Sequence, residues 1–157
     1  MKKISIILTI CLLFITPSLF SQEVIRMQSC TDTSIARQAD SVKKVFESQG
    51  FSVLREASIA MESEYEMPVV VQLDERSLYQ IVFIGDYTSR LYEVRMYDWD
   101  EKMVVYQKKM WGEIDGNIIS YSYIPKFTEF HMIKPVQVNK KKKKMCGYVI
   151  LLQKTKK

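Results

Sequence analysis

The feature that most constrains the fold is a change of hydrophobic period at Gly50. Before Gly50 apolar residues recur every three or four positions, whereas after it they alternate with polar residues almost to the end of the chain. An alternation of period two is typical of a β-strand with one buried face. Turn-forming residues divide this region into short segments, which read FSVLREASIA, MPVVVQL, LYQIVFIGD, LYEVRMYD, KMVVYQKKMW, NIISYSYIP, EFHMIKPVQV and CGYVILLQK. We therefore expect a mainly β protein, an antiparallel β-sandwich of about eight strands with a jelly-roll-like arrangement.

One amphipathic helix is predicted at about residues 33–49, before the strands. Its apolar positions fall on one stripe and are Ile35, Ala39, Val42 and Phe46. Thr31, Asp32 and Thr33 offer N-cap side chains, and Gly50 can adopt the left-handed conformation that ends a helix. The opposite face is mixed in charge, so we expect the helix to pack on its own domain rather than on a membrane.

Turn signals and one proline give finer predictions for the β region. The segments GDYTSR and DWDEK connect consecutive strands, and EIDGN supplies Asp115 and Gly116 for a tight hairpin. Pro135 cannot donate a backbone hydrogen bond, so its strand is expected at a sheet edge or with a bulge. Several tyrosines at alternating positions are expected in the core, namely Tyr79, Tyr92, Tyr121, Tyr123 and Tyr148.

The N-terminus has the pattern of an export signal. Two lysines precede an apolar run from Ile4 to Ile15, and the segment TPSLFSQE follows it. We expect residues 1–22 to be a signal peptide, and residues 23–157 to be one exported domain, periplasmic or extracellular. The run is shorter than the roughly 20 apolar residues of a membrane-spanning helix. No transmembrane segment is therefore expected in the mature chain.

Cysteine usage agrees with export. Cys11 lies inside the apolar run, which leaves Cys30 and Cys146 as a pair in a compartment that permits disulfides. We predict a disulfide between Cys30 and Cys146, and the alternative is two free buried thiols. Neither Cys11 nor Cys30 ends a good lipobox, so a lipoprotein is the less favoured form.

Charge is distributed unevenly along the predicted mature chain. Residues 23–138 carry 13 basic and 18 acidic side chains, whereas residues 140–157 carry eight basic ones and no acidic one. The five consecutive lysines of residues 140–144 lie between two predicted strands, where like charges favour an exposed turn. A nucleic-acid partner is not expected, because these lysines are not interleaved with aromatic residues. The asymmetry is also compatible with steering of an acidic partner.

Four stretches that cover about residues 78–152 carry a family resemblance. They read LYQIVFIGD, LYEVRMYDWDEKMVV, ISYSYIPKFTEFHMIKPVQV and CGYVILLQ. Their order, with an aspartate-bearing turn after one strand and a final run of Tyr, apolar and polar residues, resembles bacterial pre-peptidase C-terminal-like (PPC-like) domains. Thr128 or Glu129 stands where that family usually has a glycine, and the leading helix is an addition. The resemblance implies a small secreted β-sandwich of uncharacterised activity.

Most catalytic and metal-binding classes find no support in the residues. The chain has one histidine and lacks the HExxH, GxSxG, Walker and dinucleotide-binding patterns. His131 is expected to face solvent or to make a structural hydrogen bond, because it is opposite in parity to Phe130 and Met132. Paired carboxylates are the remaining enzymatic lead, and the candidates are Asp98 with Asp100 or Glu101, and the run Glu62, Glu64 and Glu66. We expect a non-enzyme, since nothing in the sequence indicates a pocket around them.

Two binding functions remain. The first is a cell-envelope protein that binds another protein through a sheet edge or a loop face. The second is a calcium-assisted carbohydrate-binding module, in which Asp98, Asp100 and Glu101 offer oxygen ligands to calcium and Trp99 stacks against a sugar. Asp86 and Asp115 are further candidate ligands for the same ion. Trp99 is expected to be exposed at the tip of its turn, and Trp111 is the other tryptophan of the chain.

Overall fold

The computed structural model describes residues 29–114 and 116–155, so the predicted signal peptide, residues 1–22, lies outside the described residues. One helix and eight strands follow one another along the chain. They are α1 (Thr33–Ser48), β1 (Phe51–Glu62), β2 (Val69–Leu73), β3 (Tyr79–Gly85), β4 (Leu91–Tyr97), β5 (Met103–Met110), β6 (Ile118–Tyr123), β7 (Glu129–Val138) and β8 (Lys144–Lys154). No helix in the described part of the chain has the length and apolar character needed to cross a bilayer.

The strands form two antiparallel four-stranded sheets. The first sheet has the order β1-β8-β3-β6 and the second sheet has the order β2-β7-β4-β5. Strand β1 pairs with β8, β2 with β7, β3 with β6 and β4 with β5. The first four strands therefore pair in reverse order with the last four, and successive pairs alternate between the two sheets. This is the jelly-roll arrangement, and it confirms the predicted fold class.

The core lies between the two sheets and is built from the inward side chains of both. Ile81 and Phe83 of the first sheet face Val94 and Ile133 of the second sheet, and all four are fully buried. Gly147 lets β8 approach closely, because a Cβ atom there would lie 2.6 Å from the sulfur of Met61. Four of the five predicted core tyrosines belong to this core, whereas Tyr148 packs with the apolar cluster between α1 and the outer face of the first sheet. Tyr79, Tyr92 and Tyr121 are buried, and Tyr123 and Tyr148 are half-buried.

Helix α1 covers the outer face of the first sheet. Asp32 caps it as predicted, since its Oδ1 accepts hydrogen bonds from the backbone N–H groups of Ser34 at 2.8 Å and Ile35 at 3.2 Å. Gly50 follows the helix with a φ of 81°. The predicted apolar stripe packs on outward side chains of the first sheet, which are Val82, Ile84, Ile150 and Leu152. Strand β3 is consequently buried on both faces.

Cys30 and Cys146 form the predicted disulfide. Their Cα atoms are 5.6 Å apart and 116 positions apart in sequence. The bond joins the segment before α1 to β8, the second strand of the first sheet. Ser58 of the neighbouring β1 donates a hydrogen bond to the carbonyl of Cys30, so the segment is held to the sheet at two points.

The expected position of Pro135 is wrong. Strand β7 is an interior strand, with β2 on one side and β4 on the other. The proline is tolerated because β2 ends locally. The β2–β7 ladder ends at the pair of Val69 with Ile133. Pro135 lies beyond this pair, and its carbonyl accepts a hydrogen bond from the backbone N–H of Met67, before β2, at 3.3 Å. The absent N–H of the proline therefore costs no hydrogen bond of the sheet ladder.

The expected hairpin at EIDGN is also wrong. Strand β5 pairs with β4 in the second sheet, whereas β6 pairs with β3 in the first sheet. The connection between β5 and β6 therefore crosses from one layer to the other. Asp115 itself lies outside the described residues. Turn-forming residues mark the end of a strand, but they do not specify whether the next strand returns to the same sheet.

Candidate functional site

The DWDEK turn connects β4 to β5 at one end of the second sheet. Trp99 is 68% exposed there, which confirms the prediction for this side chain. Asp98 closes the turn, because its Oδ1 accepts from the N–H of Lys102 at 2.8 Å and its carbonyl accepts from the N–H of Glu101 at 3.1 Å. Asp100 and Glu101 are exposed. The structure thus places the four predicted site residues in one turn.

The acidic side chains of this turn do not form a metal site in the described structure. Among residues 29–114 and 116–155, no group of three or more His, Cys, Asp or Glu side chains is arranged to hold a metal ion. Asp86 does not reach this turn, since it precedes β4 whereas Asp98 follows it, about 20 Å away along the strand. Calcium binding by Asp98, Asp100 and Glu101 stays a prediction that the geometry does not support.

The outer face of the second sheet carries an exposed apolar surface beside Trp99. The pairing register places Val70, Met132, Tyr97 and Met103 in one row across the sheet. The rings of Trp99 and Phe130 lie 6.2 Å apart at the edge of this row. We call these six residues the apolar patch. Val70, Met103 and Phe130 are about half exposed, at 47%, 50% and 47%.

The loop before β7 adds apolar surface at the same end of the sandwich. Ile124 and Phe127 are 57% and 66% exposed, and they lie between the end of β6 and the start of β7. Large apolar side chains that stand singly on a surface are ordinary, but contiguous ones mark interaction sites. The six residues of the apolar patch form such a contiguous group across the second sheet, whereas α1 packs on the first sheet.

Ion pairs border the apolar patch along the sheet. Arg95 binds Glu66 at 2.9 Å and Glu93 at 2.8 Å, and Lys134 binds Glu66 at 3.1 Å. The Lys134 ammonium also lies 5.0 Å from the centre of the Tyr97 ring. The hydrogen bond to Glu93 raises the pKa of Arg95, so this guanidinium stays charged. The apolar patch therefore has a fixed polar border on one side.

The buried position of His131 revises one prediction. His131 is 1% exposed and faces the core, so the expectation that it faces solvent is wrong. The alternative, a structural hydrogen bond, is confirmed, because its Nε2 lies 3.2 Å from the hydroxyl of Tyr123 and its Nδ1 lies 3.3 Å from the carbonyl of Glu129. Phe130 and Met132 point outward as a result. The exposure of Phe130 and Met132 was not predicted from the sequence.

The lysine run lies at the opposite end of the second sheet from Trp99. Lys140–Lys143 form an exposed turn, as predicted, but Lys144 is already the first residue of β8. Trp111 follows β5 at this end and is 71% exposed, so both tryptophans are on the surface. The eight residues of β5 separate the two ends by roughly 26 Å. The sandwich thus presents two distinct exposed regions.

Comparisons with known proteins identify no family. No protein-family model matches the chain, and no curated protein matches it. Among solved structures, a CBM4 structure is 12% identical with a TM-score of 0.40, over 68% of this chain and 79% of that one. The K3 cleaved adhesin domain of Lys-gingipain from Porphyromonas gingivalis is 9% identical with a TM-score of 0.40, over 62% and 72%.

A third similar structure is a glycosylation-associated protein complex from Streptococcus agalactiae. It is 11% identical with a TM-score of 0.37, over 68% of this chain and 40% of that one. Such distant similarity carries no argument about ligands. The predicted resemblance to PPC-like domains holds as far as the β-sandwich, and membership of that family is not shown.

Proposed function

We propose that this protein is an exported, non-enzymatic binding module that binds a polypeptide partner through the apolar patch. The observation that carries the proposal is the asymmetry of the two outer faces. Helix α1 buries apolar side chains on the first sheet, whereas Val70, Phe130 and Met132 remain exposed on the second sheet. An exposed contiguous apolar surface of this kind is typical of an interaction site.

The composition of the patch favours a polypeptide over other ligands. Methionine and aromatic residues are enriched in the centres of protein interfaces, and aromatic side chains supply much of their binding energy. Met103 and Met132 have flexible thioether side chains, which adapt to an irregular partner surface. The ion pairs of Arg95 with Glu66 and Glu93 supply the polar rim that such interfaces usually have.

The non-enzymatic part of the proposal rests on the carboxylates. Glu66 and Glu93 are held by cations, and one oxygen of Asp98 is used inside its own turn. These groups have structural partners, so a pair of carboxylates that flanks a substrate finds no support here. Export is supported by the disulfide between Cys30 and Cys146, which suits an oxidising compartment.

A glycan is the second candidate ligand for the apolar patch. Trp99 is widely exposed and lies against Phe130, so the two rings offer a platform on which the apolar face of a sugar could stack. This candidate predicts that binding depends on Trp99 but not on Met132, which lies inside the row and is not part of the ring pair. The polypeptide proposal predicts that it depends on both.

The test uses the two matched tryptophans. Wild-type protein and the variants Trp99→Ala, Met132→Ser and Trp111→Ala are immobilised, and envelope extracts of the producing cells and neutral glucans are passed over each. We expect one specific polypeptide whose recovery falls about tenfold or more with Trp99→Ala and with Met132→Ser, and is unchanged by Trp111→Ala. Equal recovery on all four proteins contradicts the proposal. Glucan retention that is lost only with Trp99→Ala favours the glycan.

A further inference from the structure

A second surface feature lies at the lysine end of the sandwich, about the length of β5 away from the apolar patch. A cleft of about 370 Å³ separates the loop after β7 from the turn between β3 and β4. We call it the basic cleft. Its lining residues are Thr88, Arg90, Asn139, Lys140, Lys141 and Lys142. Four of these six side chains are cationic.

The loop that carries the lysines is held in place by Asn139. The Oδ1 of Asn139 accepts from the N–H groups of Lys141 at 2.9 Å and Lys142 at 3.1 Å. Its Nδ2 donates to the carbonyl of Thr88 at 3.1 Å, which ties the two walls of the cleft together. Asn139 is nearly buried. The cationic side chains therefore project from a fixed backbone, which lowers the entropy lost when a ligand binds.

Only one of the cleft's lysines is engaged with an acid in the described structure. Lys142 lies 3.1 Å from Oδ2 of the buried Asp86. Burial alone would raise the pKa of Asp86, but hydrogen bonds from Thr88 and Lys142 hold it below its ordinary value of 3.8. Asp86 and Lys142 therefore neutralise each other at neutral pH. Arg90, Lys140 and Lys141 form no ion pair with any described residue, so the cleft keeps a net positive charge.

Trp111 adds an aromatic wall. A second hollow, of about 450 Å³, is lined by Thr88, Arg90, Met110 and Trp111 and shares its first two residues with the basic cleft. The backbone N–H of Trp111 donates to the carbonyl of Arg90 at 2.9 Å, which fixes the tryptophan beside the arginine. An exposed indole and a set of cations thus line two adjacent hollows that share Thr88 and Arg90.

We propose that the basic cleft, together with Trp111, binds an anionic saccharide. Carboxylate or sulfate groups of the ligand would be held by Arg90, Lys140 and Lys141 through charge-assisted hydrogen bonds. A sugar ring would stack on Trp111, a contact that an acidic side chain of a polypeptide does not need. The site is separate from the apolar patch and does not depend on the function proposed for it.

The experiment measures binding of heparin, polygalacturonate, dextran and poly-L-glutamate by titration calorimetry, with the disulfide intact. Four variants are compared, namely Trp111→Ala, Trp99→Ala, Lys140→Gln with Lys141→Gln, and Lys44→Gln with Lys126→Gln. The last pair removes two exposed lysines outside the cleft and controls for net charge. Thermal unfolding of each variant confirms that it is folded.

We expect heparin or polygalacturonate to bind and dextran not to bind. The Trp111 variant and the Lys140 and Lys141 variant should each weaken binding about tenfold, while the Trp99 variant and the Lys44 and Lys126 variant leave it unchanged. Raising the salt concentration should weaken it further, because exposed charges are screened beyond about 10 Å at 0.1 M salt. Heparin alone would indicate sulfate groups, and polygalacturonate alone would indicate carboxylates.

Three results would overturn the inference. One is the absence of binding to both anionic saccharides. Another is an equal loss with the Lys44 and Lys126 variant, which would mean unspecific attraction to net charge. The third is binding of poly-L-glutamate as tightly as the saccharides and without any effect of Trp111→Ala, which would make the cleft a site for acidic polypeptides.

Discussion

Replacing both Cys30 and Cys146 with serine is expected to lower the free energy of unfolding by about 4 to 5 kcal/mol, an upper figure from the entropy of the closed loop. The loop spans 116 positions, so the disulfide restricts most of the described chain in the unfolded state. It also joins the segment before α1 to β8. A loss of this size is a large part of the total stability of an ordinary domain, about 5–15 kcal/mol.

The measurement is urea unfolding of wild type and of the double serine variant. Wild-type protein in reducing buffer should match the variant, because both lack the cross-link. Val45→Ser serves as the control, since Val45 is an exposed residue of α1. A difference below about 1 kcal/mol between wild type and the double variant, or wild-type thiols that react with an alkylating agent before reduction, would contradict the prediction.

Gln137→Met is expected to lower the free energy of unfolding by about 2 to 5 kcal/mol, because the buried N–H of Asp86 and the part-buried carbonyl of Cys146 lose their partner at about 1–3 kcal/mol each. The hydroxyl of Ser89 also loses Gln137 and keeps only the sulfur of Met145. Gln137 is fully buried. Its Oε1 accepts from the N–H of Asp86 at 2.8 Å and from the hydroxyl of Ser89 at 3.2 Å. Its Nε2 donates to the carbonyl of Cys146 at 2.9 Å. Methionine has a similar size and replaces none of these bonds.

Gln72→Met is the matched control, since Gln72 is exposed on the second sheet. Thermal and urea unfolding should show a large loss for Gln137→Met and a change within about 0.5 kcal/mol for the control. The turn between β3 and β4 forms one wall of the basic cleft, so Gln137→Met should also weaken binding there. Equal stability of the two variants would mean that the buried amide is not needed to hold that turn.

The strands and the helix could be predicted because their signals are local. The alternation LYEVRMY has one inward set, Tyr92, Val94 and Met96, and the structure buries all three. The helix had an apolar stripe, a capping aspartate at Asp32 and a terminating Gly50. Each of these patterns is fixed by neighbours within a few residues, so it survives in the folded chain.

The phase of β7 could not be predicted from its own residues. In EFHMIKPVQV both alternating sets contain apolar side chains, and the set with Phe130 and Met132 is the more apolar at its start. A shift of one residue exchanges the two faces of a strand. The structure decides the phase through pairing with neighbouring strands, with His131 opposite Val71. The apolar patch is a product of that pairing and was therefore not visible in the sequence.

The apolar patch and the basic cleft both depend on contacts between segments that are distant in sequence. The sequence showed the DWDEK turn and its exposed Trp99, but not that Phe130 lies beside it. It showed the five lysines as a turn, but not that Asn139 binds this turn to Thr88 across a cleft. Such juxtapositions follow from the jelly-roll order of the strands, which local periodicity does not determine.

Site-specific photocrosslinking tests the central claim most directly, namely that the apolar patch binds a polypeptide. A benzophenone amino acid is placed at Met132 in one variant and at Val45 of α1 in another, and the producing cells are illuminated. We predict a discrete crosslinked partner from position 132 and none from position 45. No adduct from position 132, or the same adducts from both positions, would contradict the account.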